Sequence, residues 1–293
     1  MSTTTSPTEL SQAEVRAMRW RSIKRKLPVI LLSMLIVYAL FPMVWILITS
    51  LKPERDIVTA TLQYLPQNPT FENYVTMWRR SGFPRLMTNS LVVSLMTVGM
   101  SLSLGTLAAY SISRYKFRGR NALMLTYLSI RMFPFVLMLI PAFIILRDLG
   151  LLDTRFGLAL AYTTFSLPIS IWFMKNFFDA VPAEIEDAAR VDGCTRMGVL
   201  GRIVLPLTLP GLAATGVLIG IGAWNEYLFA LMLTTSGGSR TWPVGVQLMV
   251  GEFQLPFGQL AAAGIVTISP ILIAYAFVGR TMVKGLMAGG VKG

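Results

Sequence analysis

The sequence predicts an all-α, polytopic membrane protein with six transmembrane helices and both termini in the cytoplasm. Hydrophobic residues make up 54% of the 293 residues and charged residues only 14%, whereas about a quarter of the residues in soluble domains are charged. The mean hydropathy is +0.62. Long apolar stretches recur along the chain, and a helix needs about 20 such residues to cross a bilayer. This composition excludes an ordinary soluble domain.

Six stretches are long enough to span. They comprise residues 27–51, 86–112, 122–146, 156–174, 208–233 and 260–279. The first is longer than the apolar part of a signal peptide, which has about 7–15 residues, so we expect it to remain as an anchor. The predicted domains are a basic cytoplasmic N-terminal tail (1–26), a six-helix transmembrane domain (27–283) and a cytoplasmic C-terminal tail (284–293).

Basic residues predict the orientation, because Lys and Arg near spans stay on the cytoplasmic side. With the N terminus inside, 17 of the 26 Lys and Arg residues lie in the cytoplasm and 8 outside. The opposite topology would invert this bias. Since the basic residues flank the spans, the net charge of +12 does not indicate a groove for nucleic acid.

The longest cytoplasmic loop, residues 179–207, follows the fourth predicted span. Its sequence predicts two short helices. Pro182 suits the start of the first helix, and Gly193 suits a left-handed residue that ends it. Thr195 can cap the second helix, which Pro206 ends. Each helix is only about 15 Å long, too short to span a bilayer.

Two interpretations of this loop remain open on physical grounds. It could be a solvated connector whose amphipathic helix rests on lipid headgroups. Interfacial helices, however, usually carry Lys and Arg on their polar face, whereas the first helix here carries Glu184, Glu186 and Asp187. An acidic face beside small Ala residues suits a groove on a soluble protein partner.

The loop also resembles a family signature. Its residues match the pattern EAA---G---------I-LP of the membrane subunits of binding-protein-dependent ABC importers, at Asp187, Ala188, Ala189, Gly193, Ile203, Leu205 and Pro206. Asp187 replaces Glu and keeps the carboxylate. The stretches FENY (71–74), WNEYLFALML (224–233) and VKGLMAGGVKG (283–293) resemble the maltose-type carbohydrate-uptake permeases. The chain therefore resembles the permease subunit of an ABC sugar importer.

This resemblance implies that residues 179–207 form a coupling loop that docks on a cytosolic ATPase subunit. The implied docking residues are Glu184, Asp187, Ala188, Ala189, Gly193, Ile203, Leu205 and Pro206. The implied partners are a second permease subunit in a heterodimer, two ATPase subunits and an extracytoplasmic sugar-binding protein, in a bacterial or archaeal cytoplasmic (inner) membrane. The chain would form half of the pathway for a sugar, oligosaccharide or polyol.

The sequence holds no catalytic apparatus of its own. The phosphate-binding pattern G-x-x-x-x-G-K-[ST] is absent, so ATP and Mg²⁺ must bind to a partner ATPase. There is no His and a single Cys, Cys194, which excludes His-based zinc sites, Ser-His-Asp triads and an internal disulfide. We therefore predict no enzyme activity, no bound metal and no cofactor.

Three polar residues inside predicted spans are candidates for the translocation pathway. They are Arg131 in the third span and Asn225 and Glu226 in the fifth. Charged groups are costly in hydrocarbon and usually face the bundle interior. Arg131 could instead pair with backbone carbonyls or a partner subunit, and Glu226 could reach outer water.

The alternative function is a stand-alone ion-coupled carrier or channel. Such a carrier needs its own coupling-ion site, usually built from acids inside the membrane. Glu226 is the only acidic residue in any predicted span. The sequence therefore favours the importer.

Overall fold

The computed structural model describes residues 12–59, 63–80, 82–130, 132–250 and 255–290, and the regular structure in these ranges is entirely helical. Four helical segments are long and apolar enough to cross a membrane: Lys26–Ser50, Phe83–Arg114, Arg155–Asp179 and Phe257–Ala276. A fifth crossing is possible if the bent pair Arg196–Leu207 and Leu209–Asn225 counts as one span. The predicted all-α class is confirmed.

The α-helices of the described ranges are numbered in chain order. They are α1 (Gln12–Ser50), α2 (Glu72–Arg80), α3 (Phe83–Arg114), α4 (Arg120–Ile130), α5 (Leu139–Asp148), α6 (Arg155–Asp179), α7 (Ala183–Val191), α8 (Arg196–Val199), α9 (Leu205–Leu207), α10 (Leu209–Asn225), α11 (Leu228–Leu233), α12 (Trp242–Gln247) and α13 (Phe257–Gly290). Short 3-10 turns lie at Glu54–Asp56 and Phe135–Met138, and a π-helical turn lies at Leu200–Val204.

Two of these helices continue into the predicted tails. The helix α1 begins within the predicted N-terminal tail, and α13 continues to Gly290. Residues 1–11 and 291–293 of those tails lie outside the described residues.

The third predicted span, residues 122–146, is not one continuous helix. α4 ends at Ile130, a 3-10 turn follows, and α5 begins at Leu139. Pro134 accounts for the interruption, because it has no N–H to donate and its backbone adopts a non-helical φ of −58° and ψ of 118°. Arg131, placed by the sequence inside this span, lies outside the described residues.

The fifth predicted span, residues 208–233, is also interrupted. At its N-terminal end the chain bends by 79° between α9 and α10, where Thr208 leaves helical geometry with φ −99° and ψ 11°. Pro206 and Pro210 lie on either side of the bend, and neither has an N–H to continue the helical ladder. At the other end Glu226 is extended, and α11 begins at Leu228. The span is therefore α10 with short helical turns at both ends.

The centre of the bundle is the contact between α3 and α6. Ser170 of α6 donates a hydrogen bond of 2.8 Å to the carbonyl oxygen of Ser101 on α3. A Cβ added at Gly105 would lie only 2.6 Å from Cβ of Ser170, so this glycine permits the close approach. Small residues at helix interfaces play this role in membranes, where lipid removes the hydrophobic drive for helix association.

The FENY stretch contacts the end of α1 and the start of α13, at the end of the bundle opposite the coupling loop. The Asn73 side-chain amide donates to the carbonyl oxygens of Ser50 (2.9 Å) and Lys52 (2.7 Å) at the end of α1, which have no partner within the helix. Gly258 at the start of α13 passes so close that an added Cβ would lie 2.5 Å from Nδ2 of Asn73. The Glu54 carboxylate also accepts a hydrogen bond of 3.0 Å from the Gly258 N–H. The motif thus joins the first and last long helices.

Gly105→Ala should destabilise the protein by about 1–3 kcal/mol, because it overpacks the contact between α3 and α6. Ser170→Gly added to it should recover part of the loss by restoring space. Gly99→Ala on the same helix is the matched control, since nothing lies within 4 Å of a Cβ there. Thermal unfolding in detergent measures all three, and equal unfolding temperatures for the two single variants would contradict the packing interpretation.

Candidate functional site

The first helix of the coupling loop ends as the sequence predicts. Gly193 adopts a left-handed conformation with φ +86°. Its N–H donates to the Arg190 carbonyl (3.1 Å), and the Cys194 N–H donates to the Ala189 carbonyl (3.0 Å). These two bonds form a Schellman motif, which satisfies the last carbonyls of α7. At the other end, Pro182 is the residue that precedes the helix.

The second half of the coupling loop also begins as predicted. The Thr195 hydroxyl accepts a hydrogen bond of 3.1 Å from the Gly198 N–H and caps α8. The helical turns then pass through Pro206 and stop at Leu207, one residue beyond the predicted end. Pro206 can lie at the start of α9 because the first turn of a helix needs no donor from it.

The helix α7 has one face towards the bundle and one away from it. Glu186 and Ala189, three residues apart, are buried, whereas Glu184, Asp187 and Ala188 are exposed. Ala189 packs in a core cluster with Phe178, Val199, Leu200 and Val204 among others. The Ala189 side chain, which belongs to the predicted docking set, packs against the bundle, where a small residue allows α7 to lie close.

Both oxygens of the buried Glu186 carboxylate accept hydrogen bonds from α3. The Tyr110 hydroxyl donates to Oε2 (2.7 Å), and Nε of Arg114 donates to Oε1 (2.5 Å). The same guanidinium donates through Nη2 to the carbonyl oxygens of Phe178 (2.9 Å) and Val181 (3.0 Å), where α6 ends. One arginine thus connects the ends of α3 and α6 to the middle of α7.

This ion pair is largely removed from water. The side chains of Arg114 and Glu186 are 16% and 8% exposed. Taking two charges out of water is costly, so such a pair persists only where hydrogen bonds satisfy its remaining donors and acceptors. Removing one partner of a buried pair costs about 3–5 kcal/mol, because the other charge is left alone.

Sequence reasoning did not identify Tyr110 or Arg114 as functional residues, and it counted Glu186 with the acidic face offered to a partner, whereas the structure buries it. Arg114 and Glu186 are 72 positions apart, and nothing local connects them. One signal was present: Glu186 and Ala189 are spaced three apart, so a helix that buries the Ala must bring the Glu to the same side.

The exposed face of α7 combines acids with small and apolar side chains. Asp187 pairs with Arg190 on the same helix, and the Asp187 carboxylate raises the pKa of the Arg190 guanidinium. Both side chains are exposed, so this pair contributes little to stability. Ile185 and Val191 are also exposed. The face therefore offers charge and apolar area to a partner.

The remaining predicted docking residues follow α7 in the chain. Gly193 is exposed, and no atom lies within 4 Å of a Cβ built on it. Ile203 and Leu205 are half-buried against the core cluster that holds Ala189, while Pro206 is exposed. Arg196 lies over the ring of Tyr115, with 5.1 Å from Cζ to the ring centroid.

The predicted pathway residues of the fifth span differ in their surroundings. Asn225 is exposed and donates to the Ile221 carbonyl (3.0 Å). The Glu226 carboxylate accepts from the Tyr162 hydroxyl (2.6 Å) and from the N–H groups of Phe229 (2.9 Å) and Ala230 (3.1 Å). It thus caps α11 and secures the helix break. Among the described residues no cluster of acids or Cys could hold a metal ion.

The chain is similar to known membrane subunits of transport systems. Residues 101–283 match the family of the binding-protein-dependent transport system inner membrane component. The chain is 38% identical over 261 residues to the sulfoquinovosyl glycerol transport system permease protein of Agrobacterium fabrum, covering 89% of this chain and 92% of that protein. It is 37% identical over 263 residues to the trehalose transport system permease protein of Mycobacterium tuberculosis, covering 89% and 95%. A chain of a solved bacterial ABC transporter involved in alginate import has the same fold, with a TM-score of 0.77 at 24% identity, covering 94% of this chain and 99% of that one.

Glu226→Ala should destabilise the C-terminal end of the fifth segment by about 1–3 kcal/mol, because it leaves the Tyr162 hydroxyl and two α11 donors without an acceptor. Asn225→Ala is the neighbouring control and should have a small effect, since its amide is exposed. Hydrogen exchange of residues 226–233 in detergent measures the change. Equal protection in the two variants would exclude the capping role.

Proposed function

The chain belongs to the family of binding-protein-dependent transport system inner membrane components, and we propose that it is the permease subunit of an ATP-driven importer of a sugar, oligosaccharide or polyol. The coupling loop carries this proposal, because α7 is bound to the bundle on one face and free on the other. The substrate class rests on relatives that are named as permeases for trehalose and sulfoquinovosyl glycerol. The chain is a transport subunit and not an enzyme.

The exposed face of α7 is the proposed docking surface for an ATPase subunit. Glu184 and Asp187 offer carboxylates to basic groups on the partner, and Ala188 and Gly193 permit close approach of its backbone. The partner would bind Mg²⁺ and ATP, since this sequence has no phosphate-binding loop. The docked helix would pass closure of the ATPase dimer to the membrane helices.

The proposed assembly contains this chain, a second permease, two ATPase subunits and an external binding protein. It lies in the cytoplasmic (inner) membrane with both termini of this chain in the cytosol. Six crossings require that α4 and α5, separated at Pro134, together make the third crossing. They also require that α10 with its adjoining turns makes the fifth.

The half-pathway supplied by this chain is proposed to pass the outer end of α10. Asn225 exposes an amide there, which suits the hydroxyl groups of a neutral sugar. Glu226 would act by holding the helix break that presents Asn225. Arg131 remains a candidate on sequence grounds alone.

The stand-alone carrier is less well supported. Its only intramembrane acid would be Glu226, whose carboxylate already accepts three hydrogen bonds from the protein. An acid that caps a helix is poorly placed to release and rebind a coupling ion.

Uptake in proteoliposomes tests the direction and the energy source. Vesicles with the whole complex should accumulate the ligand that copurifies with its binding protein only when ATP is inside and the binding protein outside. Matched vesicles loaded with ADP are the control. Uptake that follows a proton or sodium gradient without ATP would support the carrier instead.

Gly193→Val should uncouple the ATPase from the permease. Valine at φ +86° is strained by about 1–2 kcal/mol, so the end of α7 should shift while the bundle still inserts. We expect loss of the ATPase stimulation caused by the loaded binding protein, at normal membrane expression.

Gly119→Val is the matched control for backbone strain. Gly119 has φ +88° and open space around it, but it lies between α3 and α4, outside the coupling loop. It should retain stimulation. Loss in both variants, or in neither, would contradict the docking role of the loop.

A further inference from the structure

The end of α3 is attached to the coupling loop at two points one helical turn apart. Tyr110 and Arg114 are four residues apart and therefore lie on one face of α3. Each binds a different oxygen of the Glu186 carboxylate, at 2.7 Å and 2.5 Å. Two contacts to one carboxylate fix its direction as well as its position, so α7 can neither slide along α3 nor rotate on it freely.

The same arginine removes the freedom of the connection between α6 and α7. Only Ala180, Val181 and Pro182 join the two helices. Arg114 binds the carbonyl oxygens of Phe178 and Val181, and the Tyr110 ring contacts the Phe178 ring edge-on with centroids 5.8 Å apart. The short connection is thereby held against α3.

We propose that Arg114, Tyr110 and Glu186 are positioning residues that make α7 and the ends of α3 and α6 move as one rigid unit. The proposal rests on the proposed function, in which the ATPase moves α7. Through this unit a displacement of α7 would reach α3 directly.

The packing above this unit carries the displacement towards the pathway. Leu102 and Val98 of α3 pack against two glycines of α10, Gly216 and Gly220. A Cβ added at Gly216 would lie 3.2 Å from Leu102, and one added at Gly220 would lie 3.4 Å from Val98. α10 ends at Asn225. α3 thus contacts both the coupling loop and the helix that presents the proposed sugar-facing amide.

An ionic connection has a property that an apolar one lacks. Replacing a buried ion pair by well-packed apolar residues is often neutral or stabilising, so stability alone does not require Arg114 and Glu186. Apolar contacts are non-directional, whereas charge-assisted hydrogen bonds with a planar guanidinium constrain angle as well as distance. The pair would therefore supply rigidity.

The test measures the geometry between α7 and α3 in the assembled complex. Spin labels are placed at Asp192→Cys, directly after α7, and at Lys116→Cys, two residues after α3. Both positions are exposed, and a Cys194→Ser background removes the single native cysteine. Pulsed EPR distances are recorded without nucleotide and with a non-hydrolysable ATP analogue. With Arg114 intact, we expect one narrow distance distribution that is the same in both states.

Two variants should broaden this distribution. In Arg114→Met/Glu186→Met the side chains still fill space but have no directional bonds. In Arg114→Lys the charge remains, so folding is preserved, but one ammonium cannot replace the planar guanidinium that binds Glu186 and both carbonyls. Stimulation of the ATPase by the loaded binding protein should fall about tenfold in both, within the range for residues that carry coupling.

The matched control is Arg147→Met/Asp148→Met, which removes an ion pair whose side chains are 58% and 61% exposed. It should change neither the distance nor the stimulation. Wild-type distance widths or wild-type stimulation in Arg114→Lys would overturn the proposal. Failure of the docking proposal is separate: it would appear as normal stimulation in Gly193→Val, whatever the distances between α7 and α3.

Discussion

A carboxylate that leaves water must keep hydrogen-bond donors, and this constraint fixes the end of the molecule where α7 lies. Glu186 is buried, so α7 can lie on the bundle only where Tyr110 and Arg114 meet both of its oxygens. Once α7 is placed in this way, Ala189 enters the core and Asp187 and Ala188 face outwards. The division of α7 into a bound face and a free face follows from one buried acid.

The sequence predicted the local parts of this arrangement and missed the long-range one. The roles of Gly193 and Thr195 were predictable because helix termini depend on single residues. A left-handed φ favours glycine, and an unpaired N–H at a helix start is satisfied by a nearby hydroxyl. The partner of Glu186 lies on another helix, and its identity depends on how the two helices pack. The burial of Ala189 was not predictable for the same reason, since a motif records which residues occur together but not which side of the helix they occupy.

Hydropathy located the apolar segments better than it described them. The segments around α1, α3, α6 and α13 are each one continuous helix. Pro42, Pro168 and Pro270 lie inside such helices, yet Pro134 and the pair Pro206 and Pro210 accompany breaks. Whether a proline bends or ends a helix depends on what replaces the lost hydrogen bond and on the surrounding packing. Local hydropathy carries no information on either. The hydrogen bonds of Glu226 were equally absent from the composition: its carboxylate accepts from two N–H groups of α11.

The contact between Asn73 and Gly258 has a consequence for biogenesis. Asn73 can cap α1 as soon as the second helix has been made, but the Gly258 backbone that lies against it is 185 residues further along the chain. Synthesis adds about 5–20 residues per second. The capped end of α1 would therefore wait on the order of ten to forty seconds before α13 is made and can pack against it. During that interval the first helix has only lipid, or another protein of the membrane, beside the surface that α13 will cover.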